Sequence, residues 1–217
     1  NAPIRVKTCG RALKHTVHLD KVKAEQFVLP IGKKKTHVIG INPSQITTED
    51  LAVSLQPAAN YVPTDGYSKV AAVERHHNTG KIGVAVAKGY GIRNGAVASS
   101  VSHDSHNIIV IGDNDRDMAL AVDEIIRTQG GYTVVENGEV FETLPLPIMG
   151  LMSDAGFESV NETLGRMIKK AHEMGVPADI EPFITLSFLA LPVIPALRIT
   201  PRGLCLLTAK GPEILQE

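Results

Sequence analysis

Hydrophobic residues recur with the period of an α-helix in the middle of the chain. Five of them fall at i, i+3, i+4, i+7 and i+8, namely Met118, Ala121, Val122, Ile125 and Ile126. This spacing puts all five on one helical face. The Asp-Asn-Asp run at residues 113–115 supplies N-terminal caps, and Gly130 is a typical stop signal. The pattern therefore predicts an amphipathic helix between these two signals.

A second helix is predicted by a similar apolar stripe further along the chain. Its face comprises Val160, Leu164, Met167, Ile168 and Ala171. Ser159 and Glu162 have the spacing of a capping box, so we expect the helix to begin at this pair. Gly175 and Pro177 follow the stripe and indicate where it ends.

The other hydrophobic residues form short runs typical of β-strands. The early runs, at residues 4–8, 16–19 and 36–41, predict a small β-meander. The later runs are residues 70–76, 81–87, 96–102 and 107–112. The last of these is almost continuously apolar, which favours a strand covered on both faces. Asn137 and Gly138 separate two further arms and predict a hairpin, because both residues tolerate the positive φ angles of a type I′ turn.

The order of these elements predicts an α+β fold with a mixed sheet and two main helices. Prolines and turn-forming residues at 57–67 indicate a linker between a β-rich segment at 3–56 and an α+β domain at 68–217. The apolar tail, at residues 184–191 and 197–207, is interpreted as strand or buried segment.

Composition excludes several classes of protein. The 217 residues include 22 Lys+Arg and 23 Asp+Glu, so there is no basic field to attract nucleic acid or an anionic membrane. Pro192 and Pro195 interrupt the most apolar stretch, which is too short to cross a membrane. Cys9 and Cys205 match no zinc spacing and fit a reducing, cytoplasmic compartment.

The densest group of polar residues lies between two predicted strands, at residues 99–107. It contains the candidate site residues His103, Asp104, Ser105, His106 and Asn107. Such a loop can hold a general base, position a polar substrate or contribute His103 and His106 to a metal site. The two histidines alone do not define a metal site, and a hydrogen-bonded turn is the structural alternative.

A second polar group at residues 74–81 includes Arg75, His76 and His77. Arg75 can bind an anion and either imidazole can titrate near neutral pH. The group lacks the glycine and hydroxyl pattern of a phosphate loop. A structural turn and a contact to substrate are equally consistent with it.

Longer blocks of sequence resemble bacterial adenine deaminases of the amidohydrolase superfamily, specifically their C-terminal part. The blocks are VERHHNTGKIGVAVAKGYGIRNGAVASSVSHDSHNIIVIG at residues 73–112, and the segments at residues 127–140, 144–156 and 183–200. The resemblance implies hydrolysis of adenine to hypoxanthine and ammonia in purine salvage. It also implies a divalent metal, manganese or iron, held by a (β/α)₈ barrel that bears an H-x-H pair.

The chain has no H-x-H pair, and 217 residues are too few for such a barrel plus an α+β domain. The resemblance thus implies part of an enzyme, in which residues 3–56 return to a β-sandwich beside the barrel. We expect no metal in this chain, and no activity without the barrel domain as partner. The alternatives are a non-catalytic module for oligomerisation or purine binding, and an autonomous metallohydrolase that uses His103, Asp104 and His106. We also expect a homo-oligomer, and a loop at residues 103–107 that closes over the barrel mouth.

Overall fold

The apolar run at residues 108–112 forms a strand in the centre of a mixed sheet. The computed structural model describes residues 13–64 and 66–215 of the chain. The strands of the sheet are β1 (Thr36–Ile41), β2 (Thr48–Val53), β3 (Tyr67–Val73), β4 (Ile82–Lys88), β5 (Gly95–Ser99), β6 (Ile108–Gly112), β7 (Gly131–Glu136) and β8 (Glu139–Pro145). Their order is β2-β1-β4-β3-β6-β5-β7-β8, and only the β1·β4 pair is parallel. Every residue of β6 is buried, as the sequence predicts.

Helix α1 (Asp115–Thr128) covers one face of this sheet. The predicted stripe packs inward, since Met118, Val122 and Ile125 are fully buried against residues of β3, β5 and β6. The side chain of Asn114 caps the helix by accepting a hydrogen bond from Asp117 N at 2.9 Å. The first predicted helix is therefore confirmed in both its position and its buried face.

The opposite face is covered by two helices and a second, smaller sheet. These elements are α2 (Phe157–Glu173), α3 (Pro182–Phe188), β9 (Leu197–Thr200), β10 (Gly203–Thr208) and β11 (Gly211–Ile214). The predicted stripe of α2 faces the core through Met167 and Ala171, both fully buried. The α+β class is confirmed, with the large sheet between two covering layers.

The predicted hairpin is also present. Strands β7 and β8 are joined at Asn137 and Gly138, whose φ angles are 52° and 81°. Both angles lie in the left-handed region that a type I′ turn requires.

The predicted start of the second helix is wrong, and a further helix was not predicted. Helix α2 begins at Phe157 after Gly156, so Ser159 lies within its first turn and does not cap it. The apolar run at residues 184–191, interpreted as strand or buried segment, belongs in large part to helix α3, and its Leu186, Leu189 and Ala190 are buried. Pro182 occupies the start of α3, and the Glu181 side chain accepts a hydrogen bond from Ile184 N. This start signal outweighs the strand-like composition of the run.

Part of the N-terminal segment joins the large sheet. Strands β1 and β2 form a hairpin, and β1 pairs with β4. The expected strand at residues 16–19 is irregular, because His18 N bonds to Arg75 O and Val17 N bonds to the Gln129 side chain. The expected strand at residues 4–8 lies outside the described residues, and the division at residues 57–67 stays a prediction. Over the described residues, no helix has the length and apolar character needed to cross a bilayer.

Candidate functional site

The two polar groups singled out in the sequence meet at one end of the large sheet. Val73, at the end of β3, pairs with Ile108 at the start of β6. Ser99, at the end of β5, pairs with Ile109. Because β6 runs antiparallel to both neighbours, the segments 74–81 and 100–107 emerge side by side. The antiparallel pairing thus forms a shared polar edge from residues about 30 positions apart in the chain.

The segment at residues 102–107 is a tightly hydrogen-bonded turn. Ser102 Oγ donates to Asn107 O at 2.6 Å, and His106 N donates to Ser102 O at 2.7 Å. Asn107 Nδ2 donates to Ser105 Oγ at 3.1 Å, and Asn107 Oδ1 accepts from Arg75 N at 3.3 Å. The serines and Asn107 therefore shape the loop, and the remaining side chains are left to face solvent or the neighbouring segments.

Arg75 is buried beneath this turn, with an exposed fraction of 2%. Its Nε donates to the backbone oxygen of His106, its Nη1 donates to Thr16 O at 3.2 Å, and its Nη2 donates to Met149 O at 3.0 Å. Burial lowers the pKa of Arg75 to about 10. A guanidinium enclosed by three carbonyl groups serves to join three loops and is not available to an anionic ligand.

His103 and Asp104 lie at the outer surface of the loop. The His103 side chain is 41% exposed and that of Asp104 is 83% exposed, with Nδ1 and Oδ1 3.2 Å apart. The His103 ring stacks on Phe188 of α3 with centroids 4.8 Å apart, and His103 N donates to Ser187 O at 3.1 Å. Helix α3 therefore fixes the orientation of an imidazole that can reach a partner outside this domain.

His106 points inward and lies close to two other imidazoles. Its ring centroid is 6.1 Å from that of His103, and His76 Nε2 bonds to the neighbouring Ser105 O at 2.8 Å. Burial lowers the pKa of His106, and the positive charge of Arg75 acts in the same direction. Its Nδ1 is buried with no hydrogen-bond partner among residues 13–64 and 66–215. Burial and the neighbouring guanidinium therefore both favour the neutral form of His106.

Glu74 organises the second polar group, a role that the sequence alone did not assign. Its carboxylate accepts hydrogen bonds from His76 N, His77 N at 2.9 Å, Thr79 N at 3.1 Å and Thr79 Oγ1 at 3.0 Å. Burial acts to raise the pKa of Glu74, but these hydrogen bonds outweigh it and the pKa is lowered. The signal in the sequence is a carboxylate directly after the apolar run at residues 70–73, followed by residues whose backbone N–H groups can donate to it.

Two cavities border the polar edge, and each is lined by some of the candidate residues. One, of about 270 Å³, has apolar walls from residues 190–193 and 199–201, faced by Asp104, Ser105 and Asn107. The other, of about 480 Å³, is lined by Glu74, His77, Thr79 and Lys81, together with Arg202 and Cys205. His76, His103 and His106 line neither cavity. The structure therefore does not bring all the candidate site residues into one pocket.

The described residues do not fit a metal ion. Across the described ranges, no three side chains of His, Cys, Asp or Glu are grouped closely enough to bind one. His103 and His106 are near neighbours, but two imidazoles fall short of the three or four ligands of a stable site.

Comparison with known proteins identifies the domain to which these features belong. The family model described as adenine deaminase C-terminal domain matches residues 45–210. This range includes both polar segments, helices α1 to α3 and β2 to β10. The chain therefore belongs to the family of adenine deaminase C-terminal domains.

The relatives within the family are similar over most of this chain. An adenine deaminase of Desulfitobacterium hafniense strain Y51 is 50% identical over 203 residues, which cover 93% of this chain and 36% of the relative. One of Nitratidesulfovibrio vulgaris strain DP4 is 48% identical over 196 residues, covering 89% and 34%. Adenine deaminase 2 of Carboxydothermus hydrogenoformans is 42% identical over 197 residues, covering 89% and 35%. The chain thus spans about one third of the length of these relatives.

Proposed function

We propose that this chain is the C-terminal domain of an enzyme that hydrolyses adenine to hypoxanthine and ammonia. The observation that supports it most directly is the 50% identity to an adenine deaminase over 93% of this chain. A role in purine salvage and a cytoplasmic location are parts of the same proposal. So is assembly of the enzyme as a homo-oligomer.

The proposal assigns the catalytic metal to the preceding barrel domain. The manganese or iron that the resemblance implies needs ligands from outside the described residues, since those residues present no ligand group of three. On this basis the chain by itself does not turn over adenine. Its own residues act by shaping and closing the substrate site.

The loop at residues 103–107 is the element proposed to close that site. It is rigid, because Arg75 and the Ser102–Asn107 hydrogen bond hold its backbone from below. It carries an exposed imidazole and an exposed carboxylate, His103 and Asp104. A rigid loop with outward polar groups can bind a heteroaromatic base and exclude water without a large ordering cost.

The experiment compares three preparations in an ammonia-release assay with adenine. These are the chain alone, the Desulfitobacterium hafniense enzyme, and a chimera in which this chain replaces the matching C-terminal part of that enzyme. We expect activity and bound metal in the enzyme and in the chimera, and neither in the chain alone. Turnover by the chain alone, or an inactive chimera that is folded and loaded with metal, would contradict the proposal.

A purine-binding module without catalytic function is the second candidate. It is favoured by the cavity of about 270 Å³, whose apolar wall faces the polar groups of Asp104 and Ser105. Flat bases bind in sites of this kind. Equilibrium dialysis of the chain with radiolabelled adenine tests it, and saturable binding that Asp104→Ala abolishes would support it.

A further inference from the structure

An exposed apolar surface lies beside the polar edge, on the segment that joins β8 to α2. Met149 is 43% exposed, Met152 52% and Phe157 78%. Leu13, at 41%, adjoins them, because Leu13 O accepts a hydrogen bond from Met149 N at 2.7 Å. We call these four residues the methionine surface. Large apolar side chains concentrated in this way mark an interaction site, and Met and Phe are enriched in interfaces.

The backbone beneath the methionine surface is firmly anchored. Ser100 Oγ donates to Gly150 O at 2.6 Å, and Arg75 Nη2 donates to Met149 O at 3.0 Å. Met149 itself has a φ of 59°, a left-handed conformation that is uncommon for a residue with a side chain. The anchored turn therefore exposes Met149 to solvent, although methionine side chains are usually buried in the core.

The path of the chain indicates what covers this surface. The first described residues run across it, since Lys14 Nζ bonds to Asp154 Oδ2 at 2.6 Å and Arg75 Nη1 bonds to Thr16 O. The described part of the chain therefore starts at the methionine surface, and this surface is within reach of a domain that precedes it. The relatives have about two thirds of their length outside the part matched by this chain.

We propose that the methionine surface is the docking site of the barrel domain of the full-length enzyme. The proposal rests on the proposed function, which takes this chain to follow a barrel domain in the same enzyme. Docking at this surface would also bring the preceding domain close to the candidate loop. Arg75 connects the two, because it donates hydrogen bonds both to Met149 O on the methionine surface and to His106 O in the loop. A domain seated on the methionine surface is therefore separated from the backbone of His106 by the guanidinium of Arg75.

Hydrogen–deuterium exchange tests the contact without relying on activity. The chimera and the free chain are compared over residues 147–157, with the segment at residues 60–64 as an internal reference. We expect slower exchange at residues 147–157 in the chimera only. Equal exchange in the two proteins would overturn the docking site, whereas an active chimera with equal exchange would leave the proposed function standing.

Paired substitutions then test the side chains. Met152→Asp with Phe157→Asp introduces two charges into the surface, and Val62→Asp is the control. Val62 is 70% exposed and precedes Pro63, which lines a cavity with Arg93 and Asp113 at the opposite end of the strands. In the chimera we expect limited proteolysis between the two domains to accelerate by about tenfold or more for the double variant, and by far less for the control.

A second copy of the chain is the competing occupant. Sedimentation of the free chain at several concentrations identifies it, because a dimer would dissociate in the double variant. Such a dimer, or a proteolysis rate unchanged by the two aspartates, would overturn the proposal.

Discussion

Arg75 donates a hydrogen bond through Nε to the backbone oxygen of His106, and so ties the end of β3 to the candidate loop. The same guanidinium reaches Thr16 O and Met149 O. It has no carboxylate within ion-pair distance in the described part of the chain, and its pKa is lowered by burial alone. The cation is therefore stabilised by carbonyl dipoles, and those carbonyls in turn depend on it as their donor.

Replacement of Arg75 should expose this dependence. Arg75→Met keeps much of the volume and removes the donors, which leaves buried carbonyl groups unpaired. We expect the free energy of unfolding to fall by about 3 kcal/mol, since each unsatisfied buried group costs roughly 1–3 kcal/mol and removal of the buried charge offsets part of this. Urea denaturation of the chain measures the change.

Arg202→Met is the matched control, because Arg202 is exposed on the turn between β9 and β10. We expect it to change the free energy of unfolding by no more than about 0.5 kcal/mol. Equal losses in the two variants would show that the buried hydrogen bonds of Arg75 do not stabilise the fold.

Gly150 provides a second probe of the same junction. A Cβ at this position would lie 2.8 Å from Arg75 Nη1 in a backbone with a φ of +72°. Gly80 has a similar φ of +68° and nothing within 4 Å of an added Cβ. Gly80→Ala therefore measures left-handed strain, about 1–2 kcal/mol, and Gly150→Ala adds the clash.

We expect Gly150→Ala to be the more destabilising of the two by at least about 1 kcal/mol, because the guanidinium is held by three carbonyls and cannot withdraw. Thermal unfolding of both variants tests the order. Similar melting temperatures would mean that the Arg75 side chain can move away from the added methyl group without loss of stability.

The fold could be predicted where a short stretch of sequence carries its own signal. The stripe ending at Ile126 and the turn at Asn137 fix their elements through helical period and positive φ. Helix α3 was missed because its buried residues, such as Phe183 and Leu186, are as typical of a strand, and only the Pro182 start signal distinguishes it. The parallel pairing of β1 with β4 depends on contacts between distant segments, which no local pattern encodes.

Glu74 makes a pH-dependent contribution to stability. Its pKa in the folded state is lowered, so its stabilisation is complete above the unfolded pKa of about 4.3 and is lost as the pH falls through the folded pKa. We expect Glu74→Gln to lose about 1–2 kcal/mol at neutral pH, since a neutral amide replaces a charged acceptor. It should also lose less stability than the wild-type chain between about pH 6 and pH 3.

Urea titrations at both pH values measure this effect, with Glu49→Gln on the exposed side of β2 as the control. A wild-type pH dependence retained in Glu74→Gln would assign the acid sensitivity to other carboxyl groups.

The candidate site was predictable as a location but not as an arrangement. The polar residues His103 to Asn107 lie between strands β5 and β6, as their position between two apolar runs predicts, and their part in a site stays a prediction. The roles of individual residues depend on three-dimensional contacts, since Arg75 is enclosed by carbonyls from Thr16 and Met149. Sequence alone leaves open whether Arg75 binds an anion or belongs to a structural turn, and its burial among carbonyl groups favours the structural role.

Substitution of the two loop histidines tests their proposed part in substrate binding. His103→Asn with His106→Asn is introduced into the active chimera, and asparagine suits the φ of 49° at position 106. If the loop closes over the adenine site, KM should rise or kcat should fall, on the order of tenfold for the loss of a well-placed polar contact.

His37→Asn is the control, since His37 pairs with Asp50 on strands at the far edge of the sheet. Metal content is measured for each variant, because a change there would implicate the barrel and not the loop. Unchanged kinetics with full metal content would exclude the loop from adenine binding and leave it the structural role that its internal hydrogen bonds already support.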